Sequence, residues 1–246
     1  MLGERGLKDL KGVEMMLQIA QLLTAEELAA CKSLMDSAEW VSGSITAGTQ
    51  SNQVKNNRQL PEDAPQSVMA RQYILQALQR NALFLSAALP KKIFPPLFNR
   101  YDGSTNSFGN HIDNAIRGKA HPDWVRTDLS MTVFLSEPDS YEGGELVVED
   151  TYGEHRVKLA AGDAILYPSS SIHRVEAVTS GARVCSFFWI ESMVRSDERR
   201  RLLFDLDVAV VNLRAERTQA GHTDDGAALV QLTGCYHNLL RMWADS

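Results

Sequence analysis

Three side chains that lie far apart in the chain could together bind one metal ion. His111 and Asp113 are separated by a single residue, and His173 follows 60 residues after Asp113. Residues two apart in an extended strand point to the same face, so an imidazole and a carboxylate at this spacing can reach one ion. The pair alone is a weak signal, because it arises by chance in many proteins. The second histidine makes the set a candidate metal site.

Two histidines and one carboxylate are a ligand set typical of non-haem ferrous iron. An octahedral ion with three protein ligands keeps three positions free. A bidentate cosubstrate would take two of them, and dioxygen would take the third. Asp113 must be ionised and both histidines neutral to bind the ion, so the sequence also predicts that metal affinity falls in acid.

A guanidinium lies close to this set in the sequence, since Arg183 follows His173 by ten residues. We interpret residues 178–182 as a hairpin turn, which would pair Arg183 with Ala177 and place its side chain on the face of His173. The separation would be about 13 Å along the sheet, at roughly 3.3 Å per residue. A guanidinium offers a carboxylate two parallel donors, so Arg183 could hold the far end of a dicarboxylate chelated to iron. A slip of one residue would turn Arg183 to the opposite face.

Short strands are the elements that must position these residues. Apolar and polar residues alternate over residues 129–135, which predicts a half-buried strand. Further apolar runs separated by glycine-containing turns predict strands at residues 145–149, 156–159, 164–167, 173–178 and 183–190. Many short strands at this spacing are typical of a β-sandwich or a barrel-like jelly roll. A doubly wound α/β sheet would need helices between the strands, and no helical pattern lies there.

Helical patterns flank the strands on both sides, so the predicted fold class is α+β. Thr24 and Glu27 fit a capping box, which predicts a helix over about residues 25–38. Three more helices are predicted: one from Pro65 to about Ala88, one capped by Ser196 and one over residues 229–243. We expect an N-terminal helical region (1–92) that supports a β core (93–192), followed by a C-terminal helical region (193–246). Residues 1–14 look like a loose extension, since Met15 or Met16 could equally begin the folded chain.

Composition and charge exclude several classes of protein. The 246 residues are 44% hydrophobic and 23% charged, as in an ordinary globular protein. Acidic residues outnumber basic ones by 31 to 25, which argues against nucleic-acid binding. No apolar run approaches the roughly 20 residues that span a bilayer. The three cysteines form no CxxC motif and no secretory signal is visible, so we expect a cytoplasmic protein.

In combination, these residues resemble a known family. His111, Asp113, His173 and Arg183 at these spacings are similar to the Fe(II)/2-oxoglutarate dioxygenases of the prolyl-hydroxylase type. The closer resemblance is to the bacterial PKHD-type hydroxylases, which are linked to iron uptake. It covers about residues 16–246 and includes five stretches: QVKNN (53–57), LFNRY (97–101), RTDLS (126–130), YEGGEL (141–146) and YPSSS (167–171).

The resemblance implies a double-stranded β-helix core of the jelly-roll or cupin-like type, with residues 93–192 as the dioxygenase domain. It implies His111, Asp113 and His173 as the catalytic iron ligands, Arg183 as the anchor of the distal carboxylate of 2-oxoglutarate, and Tyr101 as a further contact to that cosubstrate. The implied cofactors are Fe(II), 2-oxoglutarate and L-ascorbate, which re-reduces the iron. The partners would be 2-oxoglutarate, O2 and a substrate that the sequence does not identify. The sequence leaves open whether the protein forms a homo-oligomer.

Two other functions are compatible with the residues alone. A jelly roll could hold iron or 2-oxoglutarate as a sensor, without turnover. A cupin-like enzyme could use another metal for isomerisation or decarboxylation, and would give Arg183 no special role. Among single residues, Lys55, Asn57 and Arg126 either contact substrate at the rim of the site or belong to solvated segments. Cys185 either lines the pocket or fills space in the core.

Overall fold

The computed structural model describes residues 16–43 and 54–245, and its centre is a pair of facing β-sheets. The strands are β1 (Leu17–Ile19), β2 (Val41–Ser42), β3 (Lys55–Asn56), β4 (Arg58–Gln59), β5 (Pro90–Ile93), β6 (Leu97–Asp102), β7 (Ser107–His111), β8 (Ile116–Arg117), β9 (Val125–Arg126), β10 (Leu129–Phe134), β11 (Tyr141–Gly143), β12 (Leu146–Asp150), β13 (Gly153–Val157), β14 (Ala164–Pro168), β15 (His173–Val175) and β16 (Val178–Ser192).

The two sheets face each other, and within each sheet neighbouring strands are antiparallel. Within the described residues, the larger sheet has the order β1-β14-β10-β16-β6-β4-β2, and β5 and β11 also pair with β16. The smaller sheet has the order β13-β12-β15-β7-β3, while β8 and β9 form a separate ribbon. Side chains from both sheets form one apolar cluster between them, including Phe134, Leu146 and Cys185. This arrangement confirms the predicted jelly roll.

Strand β10 is buried on both faces, so the prediction of a half-buried strand is wrong. Leu129, Met131 and Val133 pack on the side of the helices. The alternate residues Ser130 and Thr132 are polar because they line a cavity between the sheets, not because they face water. Alternating polarity marks two different environments, and a polar interior site produces it as readily as solvent does.

The helices are α1 (Ala25–Asp36), α2 (Pro65–Arg80), α3 (Ala82–Ala88), α4 (Asp197–Gln219) and α5 (Gly226–Trp243). The predicted capping box at α1 is confirmed: the backbone N–H of Thr24 donates to the Glu27 carboxylate at 2.9 Å, and the backbone N–H of Glu27 donates to the Thr24 hydroxyl at 3.2 Å. The single helix predicted from Pro65 is wrong. It stops before Asn81, whose side chain accepts a hydrogen bond from the backbone N–H of Phe84 at 2.8 Å and so caps a new helix.

Helices cover the outer face of the larger sheet and the end of β16. The first group, α1 to α3, buries Cys31, Ile74 and Phe84 against that face. At the end of β16, Leu203 of α4 is fully buried in a cluster with Leu89 and Val194. The predicted cap at Ser196 is confirmed, since its hydroxyl accepts a hydrogen bond from the backbone N–H of Arg199. The C-terminal helices therefore complete the same folded body.

The N-terminal region contains strands as well as helices: β1, β2 and β4 pair within the larger sheet, and β3 pairs within the smaller one. The division at residues 92 and 192 stays a prediction. Residues 1–14, predicted to be a loose extension, lie outside the described residues. In the part of the chain that the structure describes, no helix is both long and apolar enough to cross a membrane.

Candidate active site

The structure brings together the three side chains that the sequence singled out as metal ligands. Strand β7 ends at His111 and β15 begins at His173, and these two residues are direct partners in the smaller sheet. Asp113 lies two residues beyond the end of β7. One ligand atom from each side chain lies within 4.8 Å of the others. All three therefore face one small volume between the sheets.

Hydrogen bonds orient the two imidazoles. The Nδ1 of His111 is 2.8 Å from the carbonyl oxygen of Gly109, and the Nδ1 of His173 is 3.1 Å from that of Ser171. A carbonyl oxygen can only accept, so each Nδ1 donates a proton, and in the neutral form of such a ring it is Nε2 that has the lone pair for a metal. Burial, helped by the neighbouring His173, lowers the pKa of His111 well below its usual range. The neutral form, which binds metal, is therefore favoured at neutral pH.

The Asp113 carboxylate is held by a chain of two serine hydroxyls. Ser130 donates a hydrogen bond to Oδ2 of Asp113 at 2.6 Å, and the hydroxyls of Ser130 and Ser169 are also 2.6 Å apart. Since Ser130 gives its proton to Asp113, Ser169 donates to Ser130. Both serines are buried, so this chain fixes the direction in which the carboxylate points. The sequence carried no signal for this hydrogen bond.

Arg183 is a buried cation that faces the same cavity. It is 1% exposed, and its Nε has no hydrogen-bond partner. Among the described residues, no carboxylate lies within ion-pair distance of it. Its guanidinium carbon lies 5.3 Å from the ring centroid of Tyr101 and 5.4 Å from that of Phe134. A buried charge without a counter-charge is costly, so the surroundings of Arg183 fit an anionic ligand.

The hairpin predicted to place Arg183 is wrong. Strands β15 and β16 lie in different sheets, and Arg183 pairs with Tyr101 of β6 instead of with Ala177. Residues 178–182 belong to β16, where Gly181 pairs with Tyr141 of β11. Arg183 still shares a cavity with His173 because the two strands face each other across it. The glycine that suggested a turn instead permits a close approach, since a Cβ there would lie 2.2 Å from the carbonyl oxygen of Ser140.

Tyr101, which the resemblance implied as a contact to the cosubstrate, lies opposite Arg183 on the neighbouring strand β6. Its side chain is buried, and its hydroxyl accepts a hydrogen bond from the Asn99 amide at 3.3 Å. Burial raises the pKa of Tyr101 to about 12. The hydroxyl is therefore protonated at neutral pH and can donate to a carboxylate.

The remaining candidates divide into two groups. Lys55 and Asn57 line the cavity, and Asn57 is 3% exposed, so neither belongs to a solvated segment. Arg126 does not line the cavity; it pairs with Asp128 at 2.7 Å and with Glu191 at 3.6 Å. Cys185 is fully buried in the apolar cluster between the sheets, as expected of a space-filling residue. Sequence reasoning missed several further lining residues, among them Asn99, although it stands within the quoted LFNRY stretch, and Arg117, which no motif marked.

Two protein families match different parts of the chain. Residues 96–191 match the 2OG-Fe(II) oxygenase superfamily, and residues 197–245 match the PKHD-type hydroxylase C-terminal domain. The first range contains His111, Asp113, His173, Arg183 and Tyr101. The second covers α4 and α5 and leaves out the last residue.

Similar proteins extend over nearly the whole chain. A PKHD-type hydroxylase of Saccharophagus degradans is 56% identical over 233 residues, which cover 94% of this chain and 100% of that protein. One from Burkholderia lata is 57% identical over 233 residues, with the same coverage. One from Nitrosomonas europaea is 54% identical over 235 residues, again covering 94% and 100%.

Solved structures share the fold at low sequence identity. A prolyl hydroxylase of Trichoplax adhaerens in complex with a hypoxia inducible factor peptide has a TM-score of 0.53 and 14% identity, covering 76% of this chain and 86% of that one. HygX of Streptomyces hygroscopicus with nickel, 2-oxoglutarate and hygromycin B has a TM-score of 0.50 and 12% identity, covering 72% and 83%. At such identities the likeness concerns the fold alone, and it agrees with the jelly-roll core.

Proposed function

Because this chain belongs to the PKHD-type hydroxylases of the 2OG-Fe(II) oxygenase superfamily, we propose that His111, Asp113 and His173 bind its ferrous iron. The observation that carries the proposal is the closeness of the three donor atoms, all within 4.8 Å of one another. The donor set also fits: two neutral imidazoles and one carboxylate are the ligands that non-haem Fe(II) takes in oxygenases. No described carboxylate other than Asp113 lines this cavity.

Arg183 binds the distal carboxylate of 2-oxoglutarate in this proposal, and Tyr101 donates a further hydrogen bond to it. The support is the buried guanidinium with an unpartnered Nε and the protonated hydroxyl on the neighbouring strand. Gly144 lets the chain pass close to this anchor: its φ is 68°, and a Cβ there would lie 3.1 Å from Cδ of Arg183 and 2.8 Å from Val178.

When bound, iron and 2-oxoglutarate supply the redox chemistry that activates dioxygen for hydroxylation of a substrate C–H bond. The chain itself orients and shields. The ring of Phe108 stacks on His111 with centroids 3.6 Å apart, and the ring of Tyr167 meets His173 edge-on at 5.3 Å. These rings keep water away from the imidazoles and hold them in the orientation that their Nδ1 hydrogen bonds set. Ser130 and Ser169 fix the orientation of the Asp113 carboxylate through their chain of hydrogen bonds.

Three finer features belong to the same proposal. In this proposal, ascorbate re-reduces the iron after turnover without substrate. The enzyme also acts in iron uptake or iron homeostasis. Both features rest on the family resemblance alone. A cytoplasmic location is supported by Cys31, Cys185 and Cys235, which are all free thiols, as expected in a reducing compartment. The sensor and the cupin-like alternatives have no observation in their favour.

Conversion of 2-oxoglutarate to succinate tests the proposed activity. With Fe(II), O2 and cell extract as the source of substrate, we expect succinate to form, and its formation to stop when iron or oxygen is withheld. Ascorbate is expected to raise the total number of turnovers and to leave the initial rate unchanged, because it rescues only enzyme whose iron has been oxidised. Tight 2-oxoglutarate binding with no succinate under any condition would favour a sensor.

Replacing Ser130 by alanine tests the orientation of the carboxylate ligand. We expect Ser130→Ala to lower Fe(II) affinity by roughly 10- to 100-fold, because hydrogen bonds to ligating residues contribute about that much to metal binding. Anaerobic titration with Fe(II) measures the effect. Ser136→Ala is the matched control, since Ser136 makes its own hydrogen bonds with Ala182 and Val184, away from the ligands. Equal Fe(II) affinity in the two variants would contradict the role of Ser130.

A further inference from the structure

The proposed metal ligand Asp113 lies at the start of a loop and not within a strand. It follows the end of β7 by two residues, and its neighbours Ile112 and Asn114 are exposed. The chain then forms the β8–β9 ribbon and returns at Thr127, two residues before β10 begins. Since Asp113 belongs to none of the described strands, contacts outside the strands must fix its backbone.

Thr127 closes this loop (residues 114–127) at its base. Its hydroxyl donates a hydrogen bond to the carbonyl oxygen of Asn114 at 2.7 Å, and its backbone N–H donates to that of Ala115 at 3.0 Å. Thr127 is buried, whereas both acceptor residues are exposed, so the two bonds tie an exposed segment to the interior. One residue thus holds two successive carbonyls directly after Asp113.

Thr127 can hold the loop because the residue after it is attached to β16. The backbone N–H of Asp128 donates to the carbonyl oxygen of Ile190 at 3.1 Å. The Asp128 carboxylate accepts a hydrogen bond from the backbone N–H of Ser192 at 2.9 Å and another from Nε of Arg126 at 2.7 Å. Ile190 and Ser192 both belong to β16, so the base of the loop is anchored to the larger sheet.

We propose that Thr127 is a positioning residue for the iron site. By closing the loop at its base, it keeps the carboxylate of Asp113 directed at the space between the two imidazoles. Ser130 orients the carboxylate itself, whereas Thr127 fixes the backbone that carries it. A ligand that is already in place loses less conformational freedom when the ion binds, so affinity rises. The inference rests on the proposed function, because it concerns the ligand Asp113.

Replacing the Thr127 hydroxyl by a methyl group tests this role. Thr127→Val keeps the shape of the side chain and the backbone N–H but cannot donate to Asn114. We expect its dissociation constant for Fe(II), measured by anaerobic titration without 2-oxoglutarate, to rise about tenfold. This is the lower end of the range for contacts that orient metal ligands, because the second hydrogen bond remains. Thr127→Ser keeps the hydroxyl and should bind Fe(II) as the wild type does.

Thr233→Val is the matched control, because the Thr233 hydroxyl donates to the carbonyl oxygen of Leu229 at 2.8 Å within α5, a helix outside the site. It should bind Fe(II) with wild-type affinity. At saturating Fe(II), the KM of Thr127→Val for 2-oxoglutarate should equal that of the wild type, because the anchor Arg183 is untouched. A general loosening of the cavity would raise this KM as well, and that result would overturn a specific role in positioning the metal ligand.

Three further results would overturn the inference alone, provided that the wild type gives the visible charge-transfer band of its Fe(II)·2-oxoglutarate complex. They are wild-type Fe(II) affinity in Thr127→Val, an equal loss in Thr127→Ser, and an equal loss in the control. Circular dichroism at the titration temperature shows whether each variant is folded, and Thr127→Ala replaces the valine variant if that one is not. If neither folds, Thr127 serves the fold and not the ligand. Absence of the band from the wild type would overturn the proposed function and this inference with it.

Discussion

Replacing His173 by alanine is expected to abolish succinate formation, with a loss of at least roughly a thousandfold, because a metal-dependent reaction has no other route once the ion is lost. The substitution removes one of three donors and leaves His111 and Asp113, which are too few to hold Fe(II) against water. The change lies at the start of β15 and within the cavity, so the apolar clusters that stabilise the fold are left in place. Succinate released per minute, with Fe(II) and 2-oxoglutarate in excess, measures the effect.

His155→Ala is the matched control for this variant. His155 also lies on a strand of the smaller sheet, but its Nε2 contacts Asp150 at 2.7 Å, away from the cavity. We expect His155→Ala to keep the wild-type rate. If His173→Ala retained iron-dependent succinate formation while remaining folded, the ligand assignment would be wrong.

Replacing Arg183 by leucine is expected to raise the KM for 2-oxoglutarate by about a hundredfold or more. A buried, charge-assisted contact to a carboxylate is worth about 2–5 kcal/mol when one partner is truncated. Arg183→Lys should fall between the leucine variant and the wild type, because lysine keeps the charge but loses the bidentate fork. Initial rates of succinate formation over a range of 2-oxoglutarate concentrations give the three KM values.

The same variant should have opposite effects on stability with and without cosubstrate. In the absence of ligand, Arg183 is a buried cation with no carboxylate within ion-pair distance among the described residues, so leucine should leave the Tm unchanged or raise it. The increase in Tm that 2-oxoglutarate gives the wild type should disappear. A leucine variant with wild-type KM would contradict the anchor and would support the cupin-like alternative, in which Arg183 has no special role.

The residues of the site could be predicted because their chemistry is unusual in combination. The chain has only six histidines, and His111, Asp113 and His173 form a ligand set typical of ferrous iron. These three residues could therefore be selected from the sequence before the fold is known. The path that brings them together could not be predicted. It depends on which strands pair, and the pairing of His173 with His111 joins segments 62 residues apart.

The wrong predictions share a physical cause, which is that tertiary contacts decide what a local pattern means. Gly181 suggested a hairpin turn, but it lies within a long strand where another backbone passes too closely for a side chain. Ser130 and Thr132 suggested a solvent face, but they line an interior cavity. The break between α2 and α3 at Asn81 could not be predicted, because the surrounding pattern is helical. Only the hydrogen bond from the backbone N–H of Phe84 to the Asn81 side chain shows that a new helix begins there.

Contributions from several elements could not be seen in any one stretch of sequence. Arg117 lies on a two-residue strand, and its guanidinium carbon lies 4.0 Å from the ring centroid of Trp189, a residue 72 positions later in the chain. Ser130 contacts Asp113 across the space between the sheets. No spacing rule connects such pairs, because their separation along the chain is set by the lengths of the intervening strands and loops. They become visible only when the strands are in place.

Anaerobic titration with Fe(II), followed by 2-oxoglutarate, measures the metal site most directly. We expect one iron bound per chain and, on addition of 2-oxoglutarate, a visible charge-transfer band that is missing from His173→Ala. A wild-type protein that gives no band, or a His173→Ala protein that gives the same band, would contradict the placement of iron between His111, Asp113 and His173.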